Sequence, residues 1–171
     1  MWTRRTWHEC ASELESVSSQ FRSAYTNDPR FDSTRRDAVM SDSSIRGVGL
    51  LRMLALAIRS EQDTGLILKL PVVVGAINES ATQEDLMFMP SRYRPPYNKM
   101  KKYKPLKLRD ALNKIAHADP DCSGFFADER THDLVLCGKN QERYWVAVIS
   151  LIDLCMVIKC IPDRPIKSSN G

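Results

Sequence analysis

HDLVLCGKNQERYWVAVI, residues 132–149, is the stretch on which the fold turns. Leu134 and Leu136 alternate with Asp133 and Val135, and after a polar break Trp145, Ala147 and Ile149 alternate again. A repeat of two is strand periodicity, and Gly138-Lys139-Asn140 provides turn-forming residues between the two arms. The span therefore predicts a β-hairpin over 132–149. The long periodic segments around it read as helix. The expected class is α+β and mainly helical: a helical bundle with a C-terminal β-hairpin and a final helix.

Working outward, Trp7, Cys10, Leu14, Val17, Phe21 and Ala24 recur at three- and four-residue steps, which lines them along one helical stripe. Thr6 and Glu9 have the spacing of a capping box, and Asn27-Asp28-Pro29 stops the helix, since the residue before a proline avoids helical backbone. This predicts a helix over 6–26. A second helix over 33–61 is capped by Asp32 or Ser33, or starts afresh with Ser43 or Ser44 as cap, with Ile45, Val48, Leu51, Leu54, Ala55 and Ile58 as its inner stripe and Gly65 as its stop. Gly47 and Gly49 each weaken it by ~1 kcal/mol relative to alanine. Residues 66–77 fit a strand or a short buried helix, interrupted at Pro71. Residues 79–105, punctuated by Pro90, Pro95, Pro96 and Pro105, read as irregular chain. A third helix over 106–117 turns Leu108, Ala111, Leu112, Ile115 and Ala116 inward and ends at Asp119-Pro120. The last, over 150–161, opens at Ser150 or Asp153 and closes at Pro162 and Pro165.

The chain has 171 residues, 43% of them hydrophobic. That length suits one domain with a core of its own, placed over 1–166, followed by a solvated tail at 167–171. No run approaches the ~20 apolar residues of a membrane span. The basic start is followed by His8, Glu9 and Glu13 rather than by an apolar segment, which does not fit a secretion signal. The five cysteines, Cys10, Cys122, Cys137, Cys155 and Cys160, make no paired framework. Together these point to a cytoplasmic protein with reduced thiols, most of them core residues, and no membrane partner.

Charge is concentrated. Arg92, Arg94, Lys99, Lys101, Lys102, Lys104, Lys107 and Arg109 fall in one window without an aspartate or glutamate, whereas the rest of the chain is net negative. Tyr93, Tyr97 and Tyr103 are interleaved with them. Cations neutralise phosphates, and tyrosine faces stack on unpaired bases, so these residues form a candidate nucleic-acid-binding strand. The alternative is a solvated loop that pairs with acidic surface.

A second constellation lies on the third helix. Asn113 and His117 are four residues apart and share a face, with Lys114 beside them. A histidine near its free pKa shuttles protons at neutral pH, and its neighbours hold a phosphate; a histidine at a helix C-terminus also simply complements the dipole. His117, Cys122, His132 and Cys137 form two His-x4-Cys pairs, a weak zinc pattern without a knuckle. No cofactor is expected.

The run Arg109-x-x-x-Asn113-Lys114-Ile115-Ala116-His117-Ala118 resembles the signature helix of the HEPN superfamily, small helical proteins that include metal-independent ribonucleases of toxin–antitoxin and antiviral defence systems. The resemblance implies that His117 acts as general acid or base, that Arg109 binds the scissile phosphate with Lys114 as further charge, that Asn113 is the polar companion, and that two subunits pair in a homodimer. Leu112, not arginine, precedes Asn113, and Arg109 stands eight residues before His117. On an ideal helix that separation is ~12 Å of rise. Two readings follow: an RNA-directed HEPN-like protein, with or without endoribonuclease activity, or a non-catalytic interaction module that docks an acidic partner protein through residues 92–109.

Overall fold

In the computed structural model, residues 4–67 and 69–161 are described. Helices α1 (Arg4–Tyr25) and α2 (Ser33–Asp63) lead into strand β1 (Val73–Ala81). Helix α3 (Gln83–Arg92), a 3-10 turn at Tyr97–Lys99 and strand β2 (Lys104–Lys107) follow. Then come α4 (Leu108–His117), β3 (Gly124–Ala127), β4 (His132–Asn140), β5 (Arg143–Ser150) and α5 (Leu151–Lys159). The strands make one antiparallel sheet in the order β2-β1-β5-β4-β3. The class is α+β as expected, but the frame is a five-stranded sheet rather than a bundle with an appended hairpin. The expected hairpin, β4–β5, is its central pair. None of the described helices is long and apolar enough to cross a membrane.

The pleat divides the hydrophobic residues between two faces. Leu134, Leu136, Trp145, Ala147 and Ile149 point to a large core with α1, α2, α4 and α5. Val135, Cys137, Val146 and Val148 point the other way, to a smaller core closed by Tyr93, Tyr97, Met100 and Tyr103 with Leu86 and Met89 of α3.

The whole α1 stripe from Trp7 to Ala24 is buried, although the helix begins at Arg4 rather than at Thr6. In α2, Asp32 is the N-cap, accepting from the Arg35 amide, and the helix runs unbroken through both glycines. Its inner stripe is rotated from the expected one: Ile45 and Val48 are 72% and 48% exposed, while Ser43, Leu50, Leu51, Leu54, Ala55 and Ile58 are buried. Gly47 faces α1, where an ideal Cβ would lie 3.6 Å from Val17, an ordinary packing distance. In α4, Ala116 is exposed, not inward. Residues 79–105 are largely regular: Thr82 and Asp85 form a reciprocal capping box that starts α3, and the helix holds Pro90 within it.

The hairpin turn also falls elsewhere than expected. Gly138 pairs with Trp145 inside the ladder, and the chain reverses at Gln141 and Glu142, Gln141 with φ of 54°. A Cβ on Gly138 would come within 2.4 Å of the Trp145 ring, so this glycine makes room for the indole. Ser150 is the cap of α5, accepting from the Asp153 amide. The expected tail, and the prolines expected to close the last helix, lie outside the described residues.

Candidate functional site

Helix α4 begins directly after the edge strand β2 and packs Leu108, Ala111 and Leu112 into the large core. That leaves its other side, and its last turn, at the surface. His117 is exposed at the C-terminal residue and has no hydrogen-bond partner among the described residues. Asn113 is half-buried one turn earlier. The Lys114 ammonium sits 4.4 Å from the centre of the Trp145 ring, a cation–π contact that holds it down on the sheet. Arg109 is committed elsewhere: it donates to the Arg59 carbonyl at 3.0 Å and to the Asp63 carboxylate at 2.9 Å. It thus ties α4 to the last turns of α2, where a cation also complements the helix dipole. The structure brings Asn113, Lys114 and His117 onto one helix end and ties Arg109 to another.

Apart from Arg109, the basic window lies away from this helix end: residues 92–103 run over the small core on the opposite face of the sheet, and Lys104 and Lys107 stand on its edge strand. Here the chemistry divides residue by residue. Tyr93 is 2% exposed, and its hydroxyl donates to Asp133 at 2.5 Å. The half-buried Tyr97 donates to Asp153 at 3.0 Å, and Tyr103 packs against the same core. These rings do not splay outward along a strand, as the binding-strand reading requires of them. The cations do face out. Lys99, Lys101, Lys102, Lys104 and Lys107 are all exposed, and none has an ion pair among the described residues. Arg92 lies 4.4 Å from the Phe88 ring centre and 3.7 Å from Glu84. Arg94 donates to the carbonyls of Ser91 and Tyr93. Lys104 and Lys107 stand on β2, an outer strand, where charge also blunts edge-to-edge pairing.

Burial and the neighbouring carboxylates raise the tyrosine hydroxyls. Burial, and then the bond to Asp133, pushes the Tyr93 hydroxyl well above its usual range. Burial pushes Tyr97 up to about 12, with Asp153 adding to it, and raises Tyr103 to about 12. Burial also raises the Asp133 carboxyl, and the Tyr93 bond opposes that rise. The tyrosine hydroxyls therefore keep their protons at neutral pH, and those of Tyr93 and Tyr97 act as structural hydrogen-bond donors.

The zinc pattern does not assemble. His132 faces α1, where its Nδ1 shares a 2.8 Å hydrogen bond with the Ser18 hydroxyl, whereas Cys137 is part of the small core on the other face. No cluster of three metal-ligating side chains occurs among the described residues. Cys10, Cys137 and Cys155 are buried and free, as core thiols. Sequence reasoning missed the pairing of Ser18 with His132, separated by 114 positions, and nothing in the local spacing announces it. It also missed Asp133 and Asp153, whose roles depend on which way the tyrosines turn. Comparison with family models, with curated proteins and with solved structures finds no match to this chain.

Proposed function

We propose that the chain is a non-catalytic interaction module whose lysine surface, Lys99 to Lys107, docks an acidic partner protein. The observation that carries this reading is the division within one window: the tyrosines are used up by the small core, and the five lysines stand exposed without an ion pair among the described residues. A surface of unpaired lysines without an aromatic platform steers and holds an acidic surface through charge, which favours fast association and strong salt dependence. It offers little for stacking on unpaired bases.

The second reading is the RNA-directed protein of HEPN type, paired as a homodimer, and what favours it is the unencumbered, exposed imidazole of His117 beside Asn113. Against a ribonuclease weigh the engagement of Arg109 at the end of α2 and the sheet that lies between His117 and the lysine surface.

The test is a titration with EDTA present, in which a single-stranded RNA and an acidic peptide of equal formal charge are added to the parent chain, to the double variant Lys101→Glu/Lys102→Glu, and to His117→Ala. The proposal predicts peptide binding that weakens steeply with salt, disappears in the double variant and is indifferent to His117→Ala, with the RNA left intact. RNA cleavage that His117→Ala abolishes would establish the ribonuclease instead. RNA held more than tenfold tighter than the peptide, without cleavage, would make this an RNA-binding relative.

A further inference from the structure

Helix α2 is apolar on two sides. The side turned to the rest of the fold buries Leu50, Leu51, Leu54, Ala55 and Ile58. The opposite side carries a second stripe that stays at the surface: Ile45, Val48, Met53 and Leu56, the last of them 65% exposed. Between Ile45 and Ile58 the only charged residues are Arg46 and Arg52, and Arg46 turns aside to Glu13 of α1 at 2.8 Å. A helix that is apolar all round is ordinarily covered on all sides, and a contiguous exposed apolar patch marks an interaction surface.

The order of residues along the stripe names what covers it. Asp42, Ile45, Gly49, Arg52, Leu56 and Arg59 follow one another at steps of three and four, the seam spacing of paired helices, and Val48 and Met53 flank them. The series reads alike from its two ends with the terminal charges inverted. Laid antiparallel against the same helix of a second copy, about a twofold axis passing between Leu50 and Leu51, Ile45 faces Leu56 of the second copy, Val48 faces Met53, Gly49 faces Arg52 and Asp42 faces Arg59. A twofold interface repeats every such contact, so the stripe is complementary to itself in hydrophobicity, size and charge. Arg52 is the one cation inside it, and Gly49 makes room for it: a Cβ built on Gly49 meets nothing within 4 Å. The arginine stem of the second copy lies over this bare backbone and carries its guanidinium to water. At the two ends, Asp42 is exposed and reaches Arg46 only at 4.0 Å, and Arg59 has no ion pair among the described residues.

We infer that the outer face of α2, from Asp42 to Arg59, is the interface of a symmetric, antiparallel dimer of this chain. The interface uses neither His117 nor the lysine surface, so it rests on neither functional reading above. A seam of about five helical turns covers less than the ~800 Å² per partner of a standard interface, which makes the dimer a weak and concentration-dependent one.

Sedimentation velocity of the full chain between about 2 and 200 µM tests it. A reversible monomer–dimer equilibrium with its midpoint in that range is expected. Leu56→Glu, which would press a carboxylate onto Ile45 of the second copy, should weaken association at least tenfold while leaving the thermal midpoint within a few degrees of the parent, because position 56 faces solvent in the single chain. Ile45→Glu is the second such variant and decides if Leu56→Glu fails to fold. Charge reversal reads the register. Asp42→Arg and Arg59→Asp should each weaken self-association about three- to tenfold, whereas the two variants mixed together should associate as tightly as the parent, since in the mixed pair each position 42 faces a position 59 of opposite charge. A parent chain that stays monomeric throughout the range, a dimer indifferent to both Leu56→Glu and Ile45→Glu, or a mixture that associates no more tightly than either charge variant alone would overturn the assignment.

Discussion

The two faces of the sheet are built on different principles. The face under α1, α2, α4 and α5 is aliphatic, and its largest buried side chains are Trp7, Leu14, Leu54, Ile58, Leu112, Ile149 and Leu154. The face under α3 and the 3-10 turn is smaller and is closed by three tyrosines, two of which reach carboxylates across the fold. One face spends hydrocarbon on stability. The other uses amphipathic rings whose bodies are buried and whose hydroxyls are hydrogen-bonded, and the lysines between them are left to the solvent. The same strands serve both, since each alternates its side chains across the pleat. The contrast teaches that a run of tyrosines and lysines is not by itself a surface: the ring and the ammonium in neighbouring positions can belong to opposite environments.

The comparison breaks most readily in the large core. Leu154→Ala should cost about 2–5 kcal/mol, because it removes a fully buried side chain and leaves a void, whereas Met89→Ala on the half-buried small face should cost about 1 kcal/mol. Urea denaturation of both variants measures this, and a larger loss at Met89 would reverse the ranking of the faces. Next in size is the acid response of the helix face. His132 has its pKa lowered from 6.5 to about 4, so between those values the unfolded chain binds the proton and the folded one does not. Stability is full above pH 6.5 and falls as the pH drops toward 4, by about 3 kcal/mol from this group. His132→Gln should flatten that part of the stability–pH curve, as read from denaturation midpoints at a series of pH values.

A smaller effect is expected from Tyr93→Phe. It leaves Asp133 buried without its donor and should cost about 1–3 kcal/mol. The sign of its pH dependence is opposite to that of His132. The folded-state pKa of Asp133 is already raised, so stability declines as the pH rises through it, and loss of the tyrosine bond raises it further. The penalty of Tyr93→Phe should therefore be greater at pH 7 than at pH 4, a difference visible in thermal unfolding at the two pH values. The smallest effect belongs to the surface. Lys101→Glu and Lys102→Glu should each shift stability by no more than about 0.5 kcal/mol, in contrast to their effect on binding.

Much of the helix face was legible. The stripe from Trp7 to Ala24 and the Ser150 cap depend on neighbours within one or two turns, and local spacing shows them. What escaped depends on distance. The tyrosines turn inward because Asp133 and Asp153 wait for two of them, 40 and 56 positions further on. Gly138 carries the composition of a turn, yet it sits in the ladder because the Trp145 ring needs the space of the missing side chain. Ile45 and Val48 have helical spacing that is correct in period but wrong in phase, because the phase depends on which side of α2 meets α1, and that side carries Ser43 and Gly47. Pro90 concealed α3, although Thr82 and Asp85 already had the spacing of a cap. For the candidate site, the positions of the lysines and of His117 were legible as exposed chemistry. Their separation was not, because it depends on which face of the sheet each segment packs against.

The three tyrosines of the basic window are part of the fold, and chemical nitration mapped by mass spectrometry reads this directly. Reagent at neutral pH should modify Tyr25, which is 43% exposed, first; Tyr97 and Tyr103 should lag well behind, and Tyr93 should remain unmodified until the chain unfolds. Nitration of Tyr93, Tyr97 and Tyr103 as fast as Tyr25 in the folded chain would place their rings in solvent, undo the small core, and return this segment to an open strand.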